Sequence, residues 1–108
     1  MIADMLAEKL DALSRMTAEH MAMPFPPGFR GVDIEDQDMV MLDADAYGCA
    51  ASALKGPLAA RQRAALTRVL AAFDRVLPAI DDAYASRYYT QLHQAAVLAA
   101  EVDELRER

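Results

Sequence analysis

The chain has 108 residues, of which 55% are hydrophobic and 6% aromatic, and its formal net charge is −6. This length suits a single small domain over residues 1–108 and leaves no room for a second one. The excess of carboxylates repels phosphate backbones, so we expect no nucleic-acid partner. Few aromatic residues and many alanines predict a core of closely packed helices.

The N-terminal segment and the cysteine content indicate where the protein resides. Acidic residues interrupt residues 1–23, which have no continuous apolar run and predict neither a signal peptide nor a membrane span. Cys49 is the only cysteine, which excludes an intrachain disulfide and fits a reducing compartment. We expect a cytoplasmic protein. Its many alanines and arginines resemble the composition that the codon bias of a GC-rich bacterium produces.

The chain begins with the pattern of an amphipathic helix. Apolar residues recur at three- and four-residue steps from Ile2 to Met21, while charged residues occupy other faces. Pro24 ends this helix, and residues 24–29, here called the proline-rich loop, suit neither a helix nor a central strand. Phe25 and Phe29 are expected to fold this loop onto the core.

A β-hairpin is predicted over residues 31–42. If Asp36 and Gln37 form a two-residue turn, Glu35 pairs with Asp38, and Ile34 pairs with Met39. Side chains alternate between the two faces of a strand, so this pairing directs one set of apolar residues to the core: Val32, Ile34, Met39 and Met41. The opposite face is acidic and is a candidate partner-binding surface formed by Asp33, Glu35 and Asp38.

Three further helices are predicted over residues 43–54, 57–77 and 82–105. Asp43 is expected to cap the first, Pro57 begins the second, and Asp81 or Asp82 caps the third. The second has the strongest apolar stripe in the chain, formed by Leu66, Val69, Leu70, Phe73, Val76 and Leu77. The expected fold class is therefore mainly α, a four-helix bundle-like single domain with a short β-hairpin inserted between helix 1 and helix 2.

Two helix faces are further candidates for binding. Arg61, Arg68 and Arg75 follow one another at seven-residue intervals, so they either pair with neighbouring carboxylates or contact an anion or an acidic partner. Tyr89 and His93 lie one turn apart on the last helix. Either the bundle covers them, or they form a partner-binding strip through which we expect a homodimer.

The sequence contains no pattern that predicts a cofactor, a metal site or a catalytic group. Asp43 to Gly48 begins like a calcium-binding EF-hand loop, but the fifth and twelfth positions are Tyr47 and Leu54, which do not complete the oxygen shell. Cys49 stands among small residues and predicts a buried side chain rather than a nucleophile. His20 continues an apolar stripe and predicts a core or boundary histidine.

Two functions remain open from the sequence. The first is a non-enzymatic interaction protein that presents its acidic hairpin face, or the last-helix strip, to a protein partner, as an immunity- or antitoxin-like inhibitor would. The second is a small-molecule sensor or small enzyme with a pocket between the hairpin, the proline-rich loop and the helices. Its polar groups would be Tyr47, Tyr88, His20 or His93.

Overall fold

Four helices and one short hairpin make up the fold, and the computed structural model describes all residues from 1 to 108. In chain order the elements are α1 (Ile2–Ala22), β1 (Asp33–Ile34), β2 (Gln37–Asp38), α2 (Met39–Lys55), α3 (Ala60–Val76), a 3-10 turn (Leu77–Ala79) and α4 (Ala83–Glu107). The predicted fold class, a mainly α domain with a hairpin between the first two helices, is confirmed. None of the helices has the length and apolarity that crossing a membrane requires.

Helix α4 lies at the centre of the bundle and packs against each of the other three helices. Its buried positions include Ala85, Ala95, Ala96 and Ala99, whose small side chains let neighbouring helices approach closely. Helix α1 runs antiparallel to α4, because Lys9 in the first half of α1 contacts Glu101 in the last third of α4, and His20 near the end of α1 contacts Tyr88 near the start of α4. Residues on most sides of α4 are therefore buried.

The apolar stripe of α3 faces the core, as its periodicity predicts. Leu66, Val69, Phe73 and Val76 are buried, and Phe73 is fully enclosed. The two remaining members, Leu70 and Leu77, are half-buried.

The hairpin turn lies one residue earlier than predicted. Glu35 and Asp36 form the turn with φ of 50° and 63°, and the strand pairs are Asp33 with Asp38 and Ile34 with Gln37. The predicted turn at Asp36 and Gln37 is therefore wrong. A two-residue hairpin turn of this kind needs positive φ at both central positions, and aspartate tolerates that conformation better than most residues.

Helix α2 begins four residues before the predicted Asp43, because Asp38 is its N-cap. The Asp38 carboxylate accepts hydrogen bonds from the backbone N–H groups of Val40 and Met41 at 2.9 and 3.0 Å. Met39 is consequently a fully buried helical residue, and Met41 is 52% exposed. The expected apolar hairpin face is therefore wrong for Met39 and Met41, because strand β2 ends at Asp38, before both methionines.

A buried carboxylate near the end of α4 fixes the turn between α2 and α3. Asp103 accepts hydrogen bonds from the backbone N–H of Leu58 at 3.0 Å and from Nε of Arg63 at 2.6 Å. The Arg63 hydrogen bond holds the pKa of Asp103 below its usual value. Arg106 donates to the last carbonyls of α2, those of Ala53 and Gly56, and so caps that helix.

We predict that Asp38→Ala lowers the free energy of unfolding by about 1 kcal/mol, because two N–H groups at the start of α2 lose their acceptor. Asp33→Ala is the matched control: this exposed carboxylate caps nothing, so its removal should change stability by less than about 0.5 kcal/mol. Urea denaturation of the two variants measures both values. Equal stabilities would contradict the assigned cap.

Candidate functional site

A cleft of about 330 Å³ opens where the end of α1, the proline-rich loop, the first turns of α2 and the second turn of α4 meet. Seven of its ten lining residues are hydrophobic or aromatic, among them Phe25, Tyr47 and Tyr88. The remaining three are His20, Arg30 and Asp43. An apolar cleft with a few convergent polar groups is the usual composition of a small-molecule site, and this volume lies at the lower end of the usual range.

Asp43 forms the polar centre of this cleft. Its Oδ1 lies 2.8 Å from Nε2 of His20, and its Oδ2 accepts a hydrogen bond of 2.6 Å from the hydroxyl of Tyr88. The three residues belong to α2, α1 and α4 respectively, so one carboxylate joins three helices. The side chains of His20 and Asp43 are only 6% and 17% exposed, which strengthens these hydrogen bonds relative to bonds in water.

Tyr88 is held as a hydrogen-bond donor. Burial raises the pKa of its phenol well above the usual value, and the hydrogen bond to Asp43 raises it further, because a phenolate would face a carboxylate. The hydroxyl also lies 3.3 Å from Nε2 of His20. Tyr88 therefore contributes a neutral donor to the network.

The imidazole of His20 is enclosed by aromatic rings. The ring of Tyr47 stacks on it with centroids 5.8 Å apart, and the ring of Tyr88 lies at 4.7 Å. Its Nδ1 is buried and has no hydrogen-bond partner. Since Asp43 can only accept as a carboxylate, the ring proton belongs on Nε2, and Nδ1 then carries a lone pair.

Arg30 lies at the rim of the cleft. Its guanidinium is 5.2 Å from the centroid of the Phe25 ring, a cation–π arrangement, and it forms no ion pair with any carboxylate. Phe25 in turn meets the ring of Tyr88 edge-on, at 5.8 Å between centroids. The proline-rich loop therefore supplies one aromatic wall of the cleft, consistent with the expected folding of Phe25 onto the helices.

The predicted strip on the last helix is inside the fold. Tyr89 is completely buried, and its hydroxyl donates a hydrogen bond of 2.8 Å to the carbonyl of Met39. His93 is half-buried, with its ring 5.0 Å from that of Phe73, and Ala96 is fully buried. Of the two alternatives, the structure therefore shows the first for Tyr89, which the bundle covers. The homodimer stays a prediction.

The other predicted site residues are at the surface. Asp33 and Glu35 are exposed on the hairpin, whereas Asp38 is occupied as the cap of α2. Arg61, Arg68 and Arg75 are all exposed and form no ion pair. The arginine of α3 that does pair with carboxylates is Arg63, which sequence analysis did not identify.

Of the four polar groups proposed for a pocket, the structure brings together Tyr47, Tyr88 and His20 but not His93. Asp43 was expected to be a helix cap and instead connects His20 to Tyr88, while Tyr47 stacks on His20. The position of Asp43 is the sequence signal that could have identified it. With Asp38 as the cap, Asp43 lies one helical turn after Met39 and therefore on the same face of α2.

The other grooves are weaker candidates for a small-molecule site. The largest, about 520 Å³ between α1 and α4, is lined by six polar residues and Met16. Cys49 lies in a separate groove between α2 and α3, where burial raises the pKa of its thiol. No three His, Cys, Asp or Glu side chains come together closely enough to hold a metal ion.

No protein-family model matches this chain, and neither a curated protein nor a solved structure shows significant similarity to it. Functional inference therefore depends on the geometry of the cleft.

Alkaline pH should destabilise the protein through Tyr88 and Tyr89, whose burial raises both pKa values above the ordinary value of 10.0. Unfolded chains lose these protons near pH 10 while the folded protein keeps them. The stability contribution is therefore complete below that pH and is lost as the pH rises. We expect the free energy of unfolding to fall by up to about 1.4 kcal/mol per pH unit for each phenol.

Urea unfolding at a series of pH values from about 8 to 11 measures this slope. The double variant Tyr88→Phe/Tyr89→Phe should show a shallower decline, although it starts from a lower stability. An identical slope in the variant and the wild type would show that these two phenols do not titrate as described.

Proposed function

We propose that this protein is a non-enzymatic binding or sensing protein that takes a small molecule into the cleft lined by Phe25, Tyr47 and Tyr88. The observation that carries this proposal is the half-buried Asp43 carboxylate, with its partners His20 and Tyr88, at an apolar cleft. Buried ionisable networks that border an apolar cleft are typical of functional sites.

The energetics of the network support a role beyond folding. Removing a carboxylate from water costs free energy, which hydrogen bonds from two neutral donors offset only in part. Apolar residues of similar volume often stabilise a fold as well as such a network does. Its position at the wall of an aromatic cleft favours ligand recognition.

Binding is favoured over catalysis by the residue types and by their contacts. No serine, threonine or cysteine lines the cleft, and Nε2 of His20 is already directed at Asp43. Cys49, the only thiol, lies in another groove. Nε2 of His20 and the Tyr88 hydroxyl are therefore engaged by Asp43, and the cleft offers no side chain of a common nucleophile.

A fragment titration followed by ¹H–¹⁵N NMR tests the cleft. Single-ring amines, carboxylic acids and alcohols are the probes, and we expect at least one class to shift amide signals around His20, Phe25 and Asp43 with a Kd on the order of millimolar. Ala44→Trp, at an exposed position that lines the cleft, should abolish these shifts by filling it.

Ala64→Trp is the matched control, because this alanine is also exposed on a helix and lies outside the cleft. It should leave the shifts unchanged. If no probe shifts the cleft signals, or if Ala44→Trp leaves every shift intact, the binding proposal fails.

The acidic hairpin supports a second candidate function, an interaction protein with a basic protein partner. Asp33, Glu35 and Asp36 are exposed together around the turn, and no basic side chain pairs with them. Unpaired charge of one sign attracts an oppositely charged surface and accelerates association. An inhibitor of the immunity or antitoxin type would use this surface to cover a basic active site.

Affinity purification from the native host tests this second candidate. The wild-type chain should retain a basic protein that the variant Asp33→Asn/Glu35→Gln/Asp36→Asn loses. The control variant Asp4→Asn/Glu8→Gln/Asp74→Asn removes the same number of exposed carboxylates elsewhere and should retain the partner. Equal retention by both variants would contradict docking through the hairpin.

A further inference from the structure

We propose that the ligand of this cleft carries an alkylated ammonium group, which contacts the Asp43 carboxylate and the rings of Tyr47 and Phe25. This inference rests on the proposed binding function and names the chemistry of the ligand. It follows from three features of the cleft: the Asp43 carboxylate, the aromatic walls and the cation already at the rim.

The carboxylate of Asp43 has no cationic partner in the fold when His20 carries a single ring proton. Both of its donors, the phenol of Tyr88 and Nε2 of His20, are then neutral. A second proton on His20 would place an N–H at Nδ1, where no acceptor is present. A buried charge without a counter-charge favours the entry of a cation.

Asp103 provides an internal comparison. That carboxylate is buried, whereas Asp43 is half-buried, but Asp103 is paired with Arg63 and has Arg106 nearby, so its charge is balanced. Asp43 accepts two hydrogen bonds of similar length without such a cation. With a single ring proton on His20, Asp43 is therefore the carboxylate that lacks a paired cation, whereas Asp103 has one.

The aromatic walls add to the attraction for a cation. Phe25 and Tyr47 are half-buried and line the cleft together with Tyr88. The π faces of such rings attract ammonium groups, and attraction strengthens when water is excluded. Alkylated ammonium groups suit this environment best, because their methyl groups pack on apolar walls while their charge remains.

Arg30 already places a cation over one of these rings. Its guanidinium lies 5.2 Å from the centroid of Phe25, and the side chain is exposed and free of ion pairs. The Phe25 face therefore accommodates a positive group in the absence of a ligand. We expect a ligand cation to displace the Arg30 guanidinium, and the net charge of −6 to favour the approach of cations from solution.

A pair of isosteric probes tests the inference. Choline and 3,3-dimethyl-1-butanol have the same shape, but the second has carbon in place of the charged nitrogen. In parallel NMR titrations of the wild-type chain, we expect choline to bind about tenfold more tightly, with shifts around Asp43 and Tyr47. Equal affinity would overturn the ammonium inference and leave cleft binding intact.

Three variants assign the preference to the named groups. Asp43→Asn should abolish the preference for choline, while Asp45→Asn, an exposed carboxylate on the same helix, should preserve it. Arg30→Gln should tighten choline binding several-fold, since a competing cation is removed. This variant retains every contact of Asp43, so it remains informative even if Asp43→Asn does not fold.

Failure of choline to bind at millimolar concentration would also overturn the inference. The same holds if Arg30→Gln weakens choline binding, or if benzoate binds more tightly than choline and loses affinity with Arg30→Gln. The last result would assign an anionic ligand to the cleft. In each case the Ala44→Trp titration decides separately whether the cleft binds small molecules.

Discussion

The two hydrogen bonds accepted by Asp43 are the interaction on which this end of the bundle depends. His20 at 2.8 Å and Tyr88 at 2.6 Å connect α1 and α4 to α2, and the aromatic cleft forms around this junction. Loss of either donor would leave part of a buried carboxylate without a partner, at a cost of about 1 to 3 kcal/mol. The geometry of the cleft therefore depends on a polar contact in addition to apolar packing.

A second buried carboxylate organises the opposite end of the molecule, with a different charge balance. Asp103 pairs with Arg63 and joins α4 to the α2–α3 turn, so the charges of these two side chains cancel. Asp43 instead accepts hydrogen bonds from His20 and Tyr88 and pairs with no arginine or lysine. Two junctions of similar construction thus differ in surroundings: one stabilises a turn, and the other lines the aromatic cleft for which we propose a ligand.

Periodicity predicted the helices and the buried face of α3, because Leu66, Val69, Phe73 and Val76 repeat at helical spacing. It could not place Tyr89, since α4 is surrounded by three helices and has no single apolar face. The sequence pattern placed the cap of α2 at Asp43, whereas the turn at Glu35 and Asp36 ends the hairpin early enough for Asp38 to be the cap. The partners of Asp43 lie 23 and 45 residues away along the chain, beyond any local pattern.

The protonation of His20 is the most direct measure of this junction. Long-range ¹H–¹⁵N NMR near neutral pH distinguishes the two ring nitrogens, and His93, the only other histidine, is assigned through a His93→Asn variant. We expect a proton on Nε2 and a bare Nδ1, the state in which His20 is a neutral donor to Asp43. A proton on Nδ1 alone, or on both nitrogens, would contradict the charge distribution described for the cleft.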